Sequence, residues 1–102
     1  MGSFVEYVVD QLGRLGAVEA RAMFGAHGLY CGGVFFAIVA DGRLYFKTDA
    51  ASRRDYERRG MGPFRPNPRQ TLKTYYEVPV EVLEDDEQLA AWADRALGAA
   101  ES

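Results

Sequence analysis

Histidine and cysteine are nearly absent from this sequence, which has one of each, His27 and Cys31. A zinc or iron site needs several imidazole, thiolate or carboxylate ligands that converge on one point, so these two residues make a poor site. A single cysteine cannot form an internal disulfide, which fits a reducing compartment. We therefore expect no metal site in this chain.

Recognised motifs for catalysis and for phosphate binding are missing as well. An activated thiolate at Cys31 would need contact with His27 and an oxyanion hole. Cys31 instead adjoins a glycine turn in an apolar neighbourhood, where a thiol normally packs as a small hydrophobic group. No serine lies in the G-x-S-x-G pattern, and neither the Rossmann nor the P-loop glycine pattern occurs. The sequence therefore predicts no catalytic residues and no cofactor.

Long apolar runs are absent too. The longest run covers 34–40, seven residues, far short of the roughly 18 residues that a helix needs to cross a bilayer. The N-terminus lacks the basic region and apolar run of a secretory signal. A length of 102 residues with 48% hydrophobic side chains fits one globular domain. We expect a single cytoplasmic domain over 1–102, with a frayed tail at 98–102.

Helical periodicity is present in three segments. The predicted helices cover residues 4–15, residues 50–59 and a stretch that begins at Asp85 or Asp86. Ser3 is the expected N-cap of the first helix, and Gly60 is the expected end of the second. The third helix has an apolar face made of Leu89, Trp92, Ala93, Ala96 and Leu97.

Five segments are typical of strands, namely 17–24, 28–31, 34–40, 43–48 and 73–78. Asp41-Gly42 predicts a tight hairpin, because a type I′ turn needs positive φ at both positions. The stretch 60–69 contains three prolines and two glycines, which favours a turn or a loop. Hairpins in series with helices segregated between them indicate an α+β domain with an antiparallel sheet and flanking helices.

Three adjacent aromatic pairs lie within these predicted strands, Phe35-Phe36, Tyr45-Phe46 and Tyr75-Tyr76. Neighbouring side chains of a strand point to opposite faces, so one ring of each pair can join the core. The other ring must meet a helix, solvent or a partner chain. We therefore expect the second face of the sheet to be at least partly covered. A homodimer is one way to cover it, and a helix of the same chain is another.

Charge is distributed unevenly along the chain. The net charge is −2 over residues 1–42, +6 over 43–73 and −7 over 74–102, which gives −3 in total. The negative total argues against a general nucleic-acid binder, because duplex DNA repels an acidic surface. The acidic run at 81–87 leads into a helix, where N-capping and the helix dipole account for it.

The basic middle segment is the candidate binding site. Its cations are Arg53, Arg54, Arg58, Arg59, Arg65, Arg69 and Lys73. Helical spacing allows Arg53 to pair with Glu57, and Asp55 to pair with Arg59, which would weaken the free positive field. An ordinary solvated face, an anionic protein partner and nucleic acid all stay open, although no helix–turn–helix pattern occurs.

Several short strings, taken in order, are similar to those of one family. They are 21–25, 28–30, 35–39, 41–47, 62–64, 75–79 and Trp92-Ala93. In this order and spacing the chain resembles the N-terminal domain of the TfoX/Sxy family, regulators of natural competence in bacteria. The resemblance covers roughly residues 4–98.

The resemblance implies a domain of α-β(3)-α-β(2)-α type, similar to secretion chaperones, with a regulatory and non-enzymatic role. Full-length members act with the cyclic-AMP receptor protein at competence promoters and carry a C-terminal helical domain. This sequence ends before such a domain would begin, so we expect a stand-alone short member.

The leading hypothesis is therefore a regulatory module that binds a protein partner, such as a transcription factor. The alternative is direct DNA binding through the 53–73 segment. A small-ligand carrier or an enzyme near His27 and Cys31 is the third hypothesis.

Overall fold

The computed structural model describes residues 3–23 and 25–101. Its helices are α1 (Phe4–Gln11), α2 (Ala50–Arg58), α3 (Val80–Leu83) and α4 (Asp86–Glu101), and a 3-10 turn covers Gly13–Leu15. Its strands are β1 (Val18–Met23), β2 (Ala26–Cys31), β3 (Val34–Ala40), β4 (Arg43–Lys47), β5 (Pro63–Asn67) and β6 (Gln70–Glu77). The predicted helices and strands are confirmed to within a few residues at their ends. Phe24, predicted to end the first strand, lies outside the described residues.

The six strands of the described residues form one antiparallel sheet in the order β1-β2-β3-β4-β6-β5. The predicted hairpin between β3 and β4 is confirmed, since Asp41 has a φ of 52° and Gly42 a φ of 71°. Ser3 caps α1 as expected, and its side chain accepts a hydrogen bond from the Glu6 backbone N–H at 3.1 Å. The α+β class and the antiparallel sheet with flanking helices are confirmed.

Three details differ from the expectations. The stretch 60–69 is not only a turn or loop, because β5 occupies Pro63–Asn67; an edge strand tolerates proline, whose missing donor can face away from the sheet. Four strands precede α2, one more than in the α-β(3)-α-β(2)-α order that the resemblance implies. The expected frayed tail is helical as far as Glu101, because Ala99 is buried against the domain.

The larger core lies between the helices and one face of the sheet. Helices α1 to α4 all contribute to it, with Val8, Tyr56, Val82 and Leu89 as examples. Phe36 and Phe46 come from the sheet and are fully buried, and burial of such a side chain contributes about 1.5–3 kcal/mol.

A β-bulge in β3 places two consecutive residues in the helix-side core. Leu29 of β2 lies opposite Ala37 of β3, whereas Tyr30 lies opposite Phe35, which leaves Phe36 as the extra residue. Phe36 and Ala37 are adjacent in sequence and yet both lie in the helix-side core. The continuously apolar run 34–40 gives no sign of this irregularity.

The second face of the sheet has its own apolar cluster, formed by Ile38, Ala40, Tyr45, Phe64 and Tyr75. One ring of each adjacent aromatic pair lies here and the other lies on the helix side, as predicted. Among the described residues, no helix contributes to this cluster. The aromatic rings cover one another instead: Tyr45 and Phe64 have centroids 4.7 Å apart, and Phe35 and Tyr75 have centroids 5.5 Å apart.

Gly28 makes this ring packing possible. A Cβ atom built at Gly28 would lie 2.9 Å from Met23 Sδ, 3.0 Å from Phe35 Cε1 and 3.3 Å from Tyr30 Cε1. Two rings and a thioether therefore rest directly on the backbone of β2, in space that any other residue would fill.

We predict that Gly28→Ala destabilises the domain by about 1–3 kcal/mol, because the added methyl group overpacks the second face. Urea denaturation followed by circular dichroism measures the free energy of unfolding. Gly62→Ala is the matched control, since a Cβ at Gly62 meets nothing within 4 Å. Equal unfolding midpoints for the two variants would contradict the packing argument.

Candidate functional site

His27 and Cys31 do not form a catalytic pair in this fold. Both lie on β2, and four residue steps along the strand separate their Cα atoms by about 13 Å. The Cys31 thiol packs against the helix-side core and donates to the Leu15 carbonyl oxygen at 4.0 Å. Within residues 3–23 and 25–101, no group of three His, Cys, Asp or Glu side chains is placed to hold a metal ion.

The structure separates the predicted basic segment into two parts with different surroundings. Arg53, Arg54, Arg58 and Arg59 lie on or at the end of α2, whereas Arg65, Arg69 and Lys73 lie on the hairpin formed by β5 and β6. This β5–β6 hairpin, residues 63–77, is called the basic hairpin below.

Most of the α2 cations are engaged within the domain. Arg53 Nε donates to Thr48 Oγ1 at 3.1 Å, and its guanidinium lies 5.8 Å from the Tyr76 ring centroid. Arg59 pairs with Glu81 at 3.4 Å and lies 5.1 Å from the centroid of the Trp92 ring. The predicted pair between Arg53 and Glu57 is therefore wrong, because tertiary partners replace the neighbour one turn away.

Asp55 of α2 forms the shortest ion pair among the described residues. Its carboxylate accepts from Arg58 at 3.3 Å and from Arg95 of α4 at 2.7 Å, so the predicted pair with Arg59 is also wrong. The hydrogen bond from Arg95, followed by the positive charges of Arg95 and Arg58, lowers the pKa of Asp55 below its ordinary value. This carboxylate ties α2 to α4.

Unlike most cations of α2, the cations of the basic hairpin have no side-chain partner among the described residues. Arg65, Arg69 and Lys73 are exposed, and none of their side chains makes an ion pair or hydrogen bond with the part of the chain that the structure describes. The tip between the strands is ordered, because Asn67 Oδ1 accepts from the Arg69 backbone N–H at 2.9 Å. Arg54 on α2 shares this exposed and unpaired condition.

An apolar groove of about 470 Å³ lies beside the basic hairpin. Its lining residues are Met23, Ala26, Phe64, Pro66, Asn67, Gln70 and Leu72. Arg65 lines an adjoining recess of about 70 Å³ that shares Ala26, Phe64 and Pro66 with the groove. The volume of the groove falls in the range of small-molecule and side-chain pockets, and a cation lies at its margin.

Sequence reasoning found the cations and missed the groove. The groove is built by Phe64 and Pro66 of β5, within a stretch predicted to be a turn or a loop. Its other wall comes from Met23 and Ala26, next to the turn between β1 and β2. The contact between these two distant segments depends on the curvature of the sheet, for which the sequence carries no signal.

The architecture defines the class of the protein: an α+β domain in which the described helices pack on one face of an open antiparallel sheet. The family model of the TfoX N-terminal domain matches residues 10–100, so the chain belongs to this family. The predicted resemblance is confirmed, and the chain carries a domain of the competence-regulator type. A comparison with curated proteins finds no match. No helix of residues 3–23 and 25–101 has the length and apolar character needed to cross a membrane.

We predict that Asp55→Asn lowers the free energy of unfolding at pH 7, because the amide cannot pair with Arg95 as a carboxylate does. A lowered pKa means that the unfolded chain binds the proton more readily than the folded one, so this stability is present above about pH 4 and is lost as the pH falls through the folded pKa. Urea denaturation measures the free energy of unfolding, and the difference between wild type and variant should be smaller near pH 3 than at pH 7.

Asp94→Asn is the matched control for this experiment. Asp94 is an exposed aspartate of α4 without an ion pair among the described residues. We expect its effect to be smaller at pH 7. A deficit in the Asp55 variant that stays constant between the two pH values would contradict the assignment of Asp55 as the link.

Proposed function

We propose that this chain is a non-enzymatic regulatory module that acts by binding a protein partner, and that the basic hairpin makes the contact. The observation that carries this proposal is that one hairpin both lines the apolar groove and carries three exposed, unpaired cations, Arg65, Arg69 and Lys73, with Arg65 in the adjoining recess. Membership of the TfoX N-terminal domain family supports a regulatory role.

The chemistry of the surface suggests the kind of partner. A groove with apolar walls gains affinity by burying an apolar side chain, while cations on the same hairpin steer acidic residues and favour one orientation. A partner segment with an apolar anchor between carboxylates matches both features. A transcription factor of the cytoplasm is the partner class that the family suggests, and a reducing cytoplasm suits the free thiol of Cys31.

The arginines of α2 are less suited to this role. Arg53 and Arg59 lie on aromatic rings and already hydrogen-bond inside the domain, and Arg58 is held by Asp55. A partner would have to replace these contacts, which offsets what it gains. The proposed site is therefore narrower than the whole basic segment 53–73, with Arg54 as the one α2 cation that stays available.

We predict that Arg65→Gln/Arg69→Gln/Lys73→Gln reduces partner capture at least about tenfold, because three steering and pairing charges are lost. The tagged full chain captures proteins from the source cell, and quantitative mass spectrometry compares the variant with wild type. Circular dichroism should show unchanged folding, since all three side chains are exposed.

The matched control is Arg53→Gln/Arg58→Gln/Arg59→Gln, which removes the same charge from α2. We expect this variant to retain the captured partners, with a modest loss of stability from its broken surface pairs. If the α2 variant loses the partners and the hairpin variant keeps them, the site belongs on α2. If both variants capture what wild type captures, the cations play no part.

Duplex DNA provides a separate test of the partner class. We predict that micromolar protein does not shift a duplex at low salt, because the net charge is −3 and the free cations are few. A mobility-shift assay over a salt series measures this directly. A shift that weakens steeply with salt, and that the hairpin variant abolishes, would replace the protein partner with nucleic acid.

A further inference from the structure

The two edges of the sheet differ in how they resist pairing with another strand. The β5 edge contains Pro63 and Pro66 and pairs with β6 in a register that shifts twice. Prolines and irregular register are devices that keep an edge strand from accepting a neighbour. β1 has neither device: it contains no proline and pairs with β2 in one unbroken register over six residues.

β1 is also accessible. Residues 19–22 are exposed on both faces of the strand, so the described helices do not cover these four residues. An exposed and regular edge strand presents a row of unpaired N–H and C=O groups to solvent, and such a row is a template for a further strand.

We propose that the partner of this edge is a second copy of the chain, which pairs antiparallel through β1 about a two-fold axis at Ala20. In this arrangement Glu19 lies directly opposite Arg21 of the partner subunit, and the symmetry repeats the pair. Two opposite-charge pairs therefore form across the axis, and each cross-strand pair of this kind is stabilising.

Charge selects this register over its neighbours. Along β1, the backbone N–H and C=O groups of only every second residue point outward from the sheet. Two copies can therefore pair only in registers whose two-fold axis lies at a residue, so the neighbouring registers have their axes at Glu19 and at Arg21. An axis at Glu19 would set this carboxylate against the same residue of its partner, and an axis at Arg21 would oppose two guanidinium groups. Like charges directly opposite each other are destabilising, so the axis at Ala20 is favoured over both neighbouring axes.

The side chains needed for these pairs are in place. Glu19 and Arg21 are 68% and 62% exposed, share one face of β1 and form an ion pair with each other at 3.4 Å. Because an exposed ion pair of this kind contributes little to stability, a second copy can share these charges at little cost. The Arg21 guanidinium is held 4.5 Å from the Tyr30 ring centroid, which places it on the second face of the sheet. The alternate positions, Ala20 and Ala22, are small, so no bulky group on the helix side obstructs a neighbouring strand.

Charge reversal tests the proposal through the full chain. Glu19→Arg and Arg21→Glu each place like charges opposite one another, so each variant alone should raise the dimer dissociation constant at least about tenfold. An equimolar mixture of the two variants restores opposite charges at both pairs. We therefore expect sedimentation equilibrium to show a heterodimer in the mixture at concentrations at which each variant alone is monomeric.

The controls separate pairing from folding and from bulk charge. Circular dichroism should show that both variants fold, because both side chains are exposed. Asp94→Arg makes the same change in net charge as Glu19→Arg, but on α4, and should dimerise as wild type does. A monomeric wild type at all concentrations, unaffected single variants, or a mixture that stays monomeric would each overturn the proposal. The test uses no external partner, so its outcome is independent of the hairpin experiment.

Discussion

The opposite orientation of neighbouring rings in β3, β4 and β6 is the constraint on which the rest of this structure depends. Phe36 and Phe46 lie in the helix-side core with centroids 6.0 Å apart, while Phe35 and Tyr45 lie on the second face. The helices fully cover only the first set. The second set must therefore be shielded by other rings and by Phe64 of β5, which draws the basic hairpin across the sheet and forms one wall of the apolar groove.

Much of the fold could be predicted from sequence because its signals are local. Ser3 satisfies the first turn of α1, and the positive φ of Asp41 and Gly42 follows from the demands of a two-residue hairpin. β5 could not be predicted in the same way, since three prolines in 60–69 are typical of a loop. Its strand structure depends on pairing with β6, which is a tertiary effect.

The candidate site shows the same division between local and tertiary information. The cations of the basic segment are evident in sequence, but their availability depends on partners that are distant along the chain. Arg59 contacts Glu81 and Trp92 in place of Asp55. Asp55 contacts Arg95 of α4 in addition to its helical neighbour Arg58. Pairs one turn apart contribute only a few tenths of a kcal/mol in an isolated helix, so a tertiary partner easily replaces them.

The prolines of β5 have a consequence for assembly as a whole. A sheet with two receptive edges can add copies at both ends, and repeated addition of this kind gives open filaments. Pro63 and Pro66 remove donors from one edge of this sheet, so strand addition there is disfavoured. In the proposed dimer, growth through β-pairing therefore stops once β1 is occupied, and Pro66, which also lines the groove, contributes to a barrier against fibre formation.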